Sequence, residues 1–200
     1  MKQLDDLIKK SESDLKLYVN ILKKWQKAVN LIADSTINDI WNRHILDSAQ
    51  IFPLISEKSK SLVDLGSGAG FPGLVLAILN KNNQGPLKQI ILIESDTKKC
   101  LFLKEVIRQL SLSVIVLNQR IEKTENIQGD VITARALAPV QKLLELSRHI
   151  ANQNTMYLFL KGKSVDDELK EIHFPIKVEK IKSITNSDSC IVKITEVNYD

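Results

Sequence analysis

The sequence predicts an α/β fold: a mostly parallel sheet wound by helices on both faces, with a helical extension in front and an antiparallel hairpin at the end. Three observations carry this. From residue 59 onward, short β-branched runs alternate with helical patterns. Across residues 1–58 the apolar residues recur at helical spacing, which marks an N-terminal helical extension to a compact unit over 59–200. Near the C-terminus two strand-like runs lie too close for a helical crossover, so they pair antiparallel.

Each element has its own signal. Leu4, Leu7, Ile8, Leu15, Tyr18, Val19, Leu22, Trp25 and Val29 predict a helix from Leu4 to about Leu31. Lys16, Lys23, Lys24 and Lys27 lie on its other face, either as a solvated surface or as a patch for phosphate. Asp34-Ser35-Thr36 reads as a capped break, and Ile37, Ile40, Trp41 and His44 form the apolar face of another helix that fades near Pro53. Strands are expected at Ser61–Leu65, Gln89–Glu94, Ser113–Leu117, Asp130–Thr133 and Thr155–Leu160. Helical patterns over Gly73–Leu79, Thr97–Leu110 and Pro139–Ile150 separate them. A polar helical turn at Val165–Ile172 precedes the hairpin strands Ile176–Ile184 and Cys190–Val197, joined by the turn-rich Thr185–Ser189.

Composition excludes several classes. In 200 residues, 44% are apolar and 26% charged, enough for a core and a soluble surface, which argues against disorder, collagen and coiled coil. The net charge of +4 permits an anionic partner without demanding one. Cys100 and Cys190 stand far apart without a CxxC context, against a disulfide scaffold or a zinc site; both read as small buried hydrophobes. The polar N-terminus is no signal peptide, and stretches such as Leu74–Leu79 are too short to cross a bilayer. A reduced, cytoplasmic protein with no metal and no membrane partner is the expectation.

Glycine is scarce, seven in the chain, yet Gly66, Gly68, Gly70 and Gly73 cluster after the first strand. Glycines there let the backbone turn tightly and let a ligand approach closely, and Pro72 suits the first turn of the following helix. Gly68–Gly73 satisfies the GxGxxG spacing of dinucleotide sites. Charge separates the cofactor classes. Pyrophosphate at a helix N-terminus avoids carboxylates, whereas Asp64 is placed at the strand end facing the crevice. S-adenosylmethionine carries no phosphate and tolerates an acidic neighbour. Glu94, closing the next strand, can accept hydrogen bonds from both ribose hydroxyls of either cofactor. A methyltransferase is therefore favoured, with a nicotinamide-type Rossmann oxidoreductase and a non-catalytic RNA- or ribosome-binding module as alternatives.

Ile121 and Glu122, after the next strand, border the adenine in such folds, or simply begin a helix. The strand ending in Arg135-Ala136 leads to where an acceptor sits. That position lacks the Asn/Asp-Pro-Pro-aromatic tetrapeptide of exocyclic-amine methylation, and neither cysteine has the context of a pyrimidine-C5 nucleophile. What remains is alkylation of a lone pair already free at neutral pH. The whole pattern is the shape of the class I S-adenosylmethionine-dependent methyltransferases, a Rossmann-like fold.

The chain closely resembles the bacterial 16S ribosomal RNA guanine-N7 methyltransferases, the glucose-inhibited division protein B family. The matching segments run in order from Tyr18–Trp25 and Asn30-Leu31 through Arg43-His44-Ile45-Leu46-Asp47-Ser48 and the Asp64–Gly73 loop. They continue through Phe102-Leu103-Lys104, Arg120-Ile121-Glu122, Arg135-Ala136 and Leu160-Lys161-Gly162. The resemblance implies methyl transfer from S-adenosylmethionine to N7 of one guanine of 16S rRNA, on naked RNA or the small ribosomal subunit. It implies that Gly66, Gly68 and Phe71 line the cofactor, that Ile121 and Glu122 hold its adenine end, and that Arg135 lies between cofactor and acceptor. His44 then reads either as a satisfied core histidine or, with Arg43 and Asp47, as a positioning group. Lys16, Lys23, Lys24, Lys27, Arg43, Arg135, Lys161 and Lys163 are candidate phosphate contacts. Ile32 replaces the family's common threonine, and Ser187–Cys190 replaces a frequent basic residue. A monomer is expected, since no apolar stripe is left unassigned.

Overall fold

The computed structural model describes residues 2–199. Helix α1 (Lys2–Gln26) is followed by a 3-10 turn (Asp34–Asp39), a π-turn (Trp41–Leu46), the short α2 (Asp47–Ala49) and another 3-10 turn (Phe52–Leu54). Then come β1 (Ser61–Leu65), α3 (Gly73–Asn82), β2 (Gln89–Glu94), α4 (Thr97–Leu110), β3 (Ile115–Asn118), a 3-10 turn at Ile121–Lys123 and β4 (Gly129–Arg135). The chain ends with α5 (Val140–Ser147), β5 (Ala151–Lys161), α6 (Val165–Lys170), β6 (Ile176–Lys182) and β7 (Cys190–Val197).

The strands form one seven-stranded sheet in the order β3-β2-β1-β4-β5-β7-β6. β1 to β5 run parallel, and β7 pairs antiparallel with both β5 and β6. Alternation along the strands splits the core between the two faces. Leu62 and Leu92 join one apolar cluster with α3 and α4, while Val63, Leu65, Ile91 and Ile93 join the other with α5. Helix α1 belongs to the first cluster: Leu15, Tyr18 and Leu22 are fully buried there. Each such burial is worth about 1.5–3 kcal/mol, so the extension is part of the core's stability. No helix among the described residues is long and apolar enough to cross a membrane.

Several bounds differ from the sequence expectation, each for a local reason. Helix α1 stops at Gln26 because that side chain turns back: its Oε1 accepts from the N–H groups of Leu31 (3.0 Å) and Ile32 (3.1 Å). The expected helix through His44 is broken into 3-10, π and α turns, and no side chain caps its start. β4 extends to Arg135, beyond the expected Thr133. β5 begins at Ala151, before a register irregularity that Thr155 bridges by donating to the Gly129 carbonyl (2.7 Å). Helix α5 ends at Ser147, whose hydroxyl donates to the Leu143 carbonyl (2.6 Å). Pro72 precedes the first helical residue of α3 instead of opening its first turn.

Candidate active site

The site is built at the C-terminal ends of the parallel strands. After β1 the chain turns through Gly66, Gly68 and Gly70 at φ of +59°, +56° and +89°, a region that residues with a Cβ avoid. The loop is fastened to the end of β2. The Ser67 N–H donates to the Ile93 carbonyl (3.0 Å), and the Gly68 N–H donates to Glu94 Oε2 (2.8 Å). Glu94 Oε1 accepts from the Asp96 N–H (2.8 Å). Each carboxylate oxygen keeps a further lone pair for a ligand hydroxyl.

A cavity of about 410 Å³ opens over this loop. Gly66, Gly68, Phe71, Glu94, Ile121, Glu122 and Arg135 all line it, so the structure brings together every candidate site residue. Leu31, Ser95, Lys99 and Leu137 line it as well and were not singled out from sequence as site residues. Leu31 had a signal in the Asn30-Leu31 match; the others carry none. The volume and the mixture of glycine backbone, Glu94 and apolar Ile121 suit a nucleoside-bearing cofactor of the size of S-adenosylmethionine.

Asp64 requires a correction. It is fully buried beneath the loop and does not line the cavity. Its Oδ1 accepts from the Thr133 hydroxyl (2.7 Å), while Oδ2 lies beneath the N-terminus of α3, 2.8 Å from where a Cβ on Gly73 would stand. The pleat of β1 turns this side chain toward α3, on the same face as Leu62. Burial pushes its carboxyl up to about 6, against the hydrogen bonds that hold it down. The carboxyl therefore lies under the loop and the start of α3, outside the cavity.

Arg135, at the end of β4, is the node of the site. Its guanidinium donates to the Arg43 carbonyl (3.1 Å) and to His44 Nδ1 (2.7 Å). It also lies 3.5 Å from Asp47 Oδ2 and 4.8 Å above the Phe71 ring. The His44 ring stacks on Phe71 with centroids 4.9 Å apart. Because Nδ1 accepts from Arg135, the proton sits on Nε2, which donates to Thr36 Oγ1 (2.8 Å); Thr36 in turn donates to the Ala33 carbonyl (2.7 Å). Burial, then the charges of Arg135 and Arg43, depress the imidazole to about 3. The sign is that of a buried neutral histidine, which must lose its partners to become charged. His44 is thus expected to stay in the Nε2–H form from about pH 5 to about pH 8. Nitrogen-15 shifts of its ring check this, and a titration midpoint near the ordinary 6.5 would contradict it.

Arg135 and Ala136 also line a second cavity of about 430 Å³. Its walls include Thr36, His44, Asp47, Glu168, Thr185 and Asn186. Asp47 Oδ1 accepts from Thr185 Oγ1 (2.9 Å) and Gln50 Nε2 (3.0 Å), tying the extension to the hairpin loop. Two of the candidate phosphate contacts line this cavity with partners already in place. Lys161 is half-buried, 2.6 Å from Glu168 and donating to the Ala138 carbonyl (2.8 Å), and Arg135 makes the contacts above. Lys16 pairs with Glu12 (2.6 Å) and Lys163 with Asp188 (3.0 Å), while Lys23, Lys24, Lys27 and Arg43 stand exposed.

A sheet of this order, a glycine loop after β1 and an acidic residue closing β2 together define a class I methyltransferase. The fold matches a solved S-adenosylmethionine-dependent methyltransferase from Aquifex aeolicus with a TM-score of 0.61, at 16% identity over 82% of this chain and 96% of that one. The chain belongs to the GidB family, described as rRNA small subunit methyltransferase G, which matches residues 11–192. A protein named ribosomal RNA small subunit methyltransferase G from Paramagnetospirillum magneticum is 42% identical over 92% of this chain and 88% of its own. One of the same name from Jannaschia sp. is 43% identical over 95% of this chain and 91% of its own. Membership in a methyltransferase family sets aside the oxidoreductase and the non-catalytic readings.

Proposed function

We propose that this protein transfers the methyl group of S-adenosylmethionine to N7 of one guanine of 16S ribosomal RNA, in the cytoplasm. The observation that carries the proposal is the shared wall. Two cavities, each large enough for a nucleoside, meet at Arg135 and Ala136. One suits a cofactor, and the other is left for the acceptor base.

S-adenosylmethionine, when bound, supplies an electrophilic methyl group on a sulfonium. Glu94 would accept from its ribose hydroxyls, Ile121 would pack on its adenine and Glu122 would read the adenine edge. Guanine N7 presents an unprotonated lone pair, so alignment across the wall is the main requirement on the protein. No base is needed. His44 fits that requirement, because both of its ring nitrogens are engaged. The N7–methyl bond forms as the sulfonium–methyl bond breaks, so a neutral thioether leaves and the positive charge passes to the guanine. The second cavity that would receive it is lined by Asp47 and Glu168, each already paired with a cation, Arg135 and Lys161. Exposed Lys23, Lys24, Lys27 and Arg43 remain as phosphate contacts, which makes binding salt-sensitive.

The test is incubation with methyl-labelled S-adenosylmethionine and bacterial small subunits, followed by mapping of the modified base. Label on guanine N7 of 16S rRNA is expected. Label on an adenine or on a pyrimidine carbon would overturn the assignment.

A further inference from the structure

The glycine loop is held from above by β2 and from below by a residue far upstream. Tyr18, in the middle of α1, is fully buried, and its hydroxyl donates to the carbonyl of Ala69, 51 positions away. Its ring packs against Phe71 (centroids 5.4 Å apart) and Phe102 (6.4 Å). Ala69 stands between Gly68 and Gly70, both at positive φ, so the peptide that bears this carbonyl is flanked by two hinges of high conformational freedom. The Ser67 carbonyl is already used by the N–H groups of Gly70 and Phe71, and the Gly70 carbonyl by Leu74. The Tyr18 bond therefore selects one orientation for the Ala69–Gly70 peptide. Burial raises the phenol further above its ordinary pKa, so it remains a donor at any working pH.

We infer that Tyr18 is a positioning residue for the cofactor: a strut from the N-terminal helix that holds the glycine loop in its binding conformation. This rests on the reading of the loop cavity as the S-adenosylmethionine site. A strut of this kind raises affinity by raising the population of the competent loop. It leaves the chemical step alone, because it touches no reacting atom.

The test is Tyr18→Phe, which keeps the ring packing and removes one hydroxyl. Tyr157→Phe serves as control, since that buried phenol faces Tyr199 (3.4 Å), away from the loop. Calorimetric Kd for S-adenosylmethionine, KM and kcat, and thermal unfolding are measured on all three proteins. Tyr18→Phe is expected to weaken binding and raise KM about tenfold, equivalent to about 1.4 kcal/mol, with kcat at saturating cofactor within about twofold. Amide exchange at Ser67–Phe71 is expected to quicken in this variant only. Unchanged affinity in Tyr18→Phe overturns the strut. So does an equal loss in Tyr157→Phe, which would mark a general effect of stability. A wild-type protein that fails to bind the cofactor overturns the site reading itself, an outcome distinct from a wild type and variant that bind alike.

Discussion

Gly66→Asp abolishes S-adenosylmethionine binding, raising Kd by about a hundredfold or more, equivalent to at least about 2.7 kcal/mol, while the protein still unfolds cooperatively. Three effects add at this one position. Gly66 sits at φ +59°, where a side chain costs about 1–2 kcal/mol. Its new Cβ would stand 2.7 Å from Leu137 Cδ1, on the cavity wall. Its carboxylate would share the cavity with Glu94, at the loop end that a ribose must approach. Calorimetry measures the affinity and circular dichroism the unfolding. Gly68→Ala is the milder comparison, since a Cβ there meets only the Gly66 carbonyl at 3.8 Å. Unchanged affinity in Gly66→Asp would contradict the placement of the cofactor.

Arg135→Ala should lower methyl transfer by about a hundredfold, the order lost when the reacting groups are misplaced by about an ångström. It should also destabilise the fold by about 3 kcal/mol, because breaking a buried ion pair leaves a charge uncompensated. Asp47 is that charge: its side chain is only 15% exposed. The wall between the cavities would open at the same time, and His44 would lose its donor on Nδ1. Arg135→Lys should not restore activity, since one ammonium cannot take up the guanidinium's fork toward Arg43, His44 and Asp47 together. Steady-state kinetics and urea unfolding check both effects. An Arg135→Ala enzyme with near wild-type turnover would show that the two cavities do not cooperate through this residue.

The cavity over the glycine loop was legible in the sequence because its residues lie at or near strand ends. Gly66 follows β1, Glu94 and Arg135 close β2 and β4, and Ile121 lies three residues past β3, and a parallel sheet delivers such ends to one edge. β7 was legible to both of its ends, since turn residues bound an alternating run. What failed was orientation and partnership. From sequence Asp64 reads as facing the crevice, but strand parity and the cover of α3 turn it under the loop. Lys161 reads as a free cation until α6 brings Glu168 to 2.6 Å. The second cavity draws Thr36 from a 3-10 turn, Glu168 from α6 and Asn186 from the hairpin loop, and no local pattern announces such a meeting. The π-turn at Trp41–Leu46 was equally hidden, because its apolar spacing imitates an ordinary helix while it carries His44 onto Phe71.

The outer strand β6 has a consequence for the protein in a crowded solution. An open sheet edge is a template on which another chain can lay a strand, and aggregation starts there. β6 presents Lys177, Glu179, Lys180 and Lys182 along that edge, all exposed. Three of them are steered back onto the protein: Lys177 toward Glu196 (2.7 Å), Glu179 toward Lys193 (3.1 Å) and Lys180 toward Asp166. An incoming strand would have to desolvate these charges or break their pairs. The edge that closes the fold is thereby made a poor seed for a fibril or a mispaired dimer.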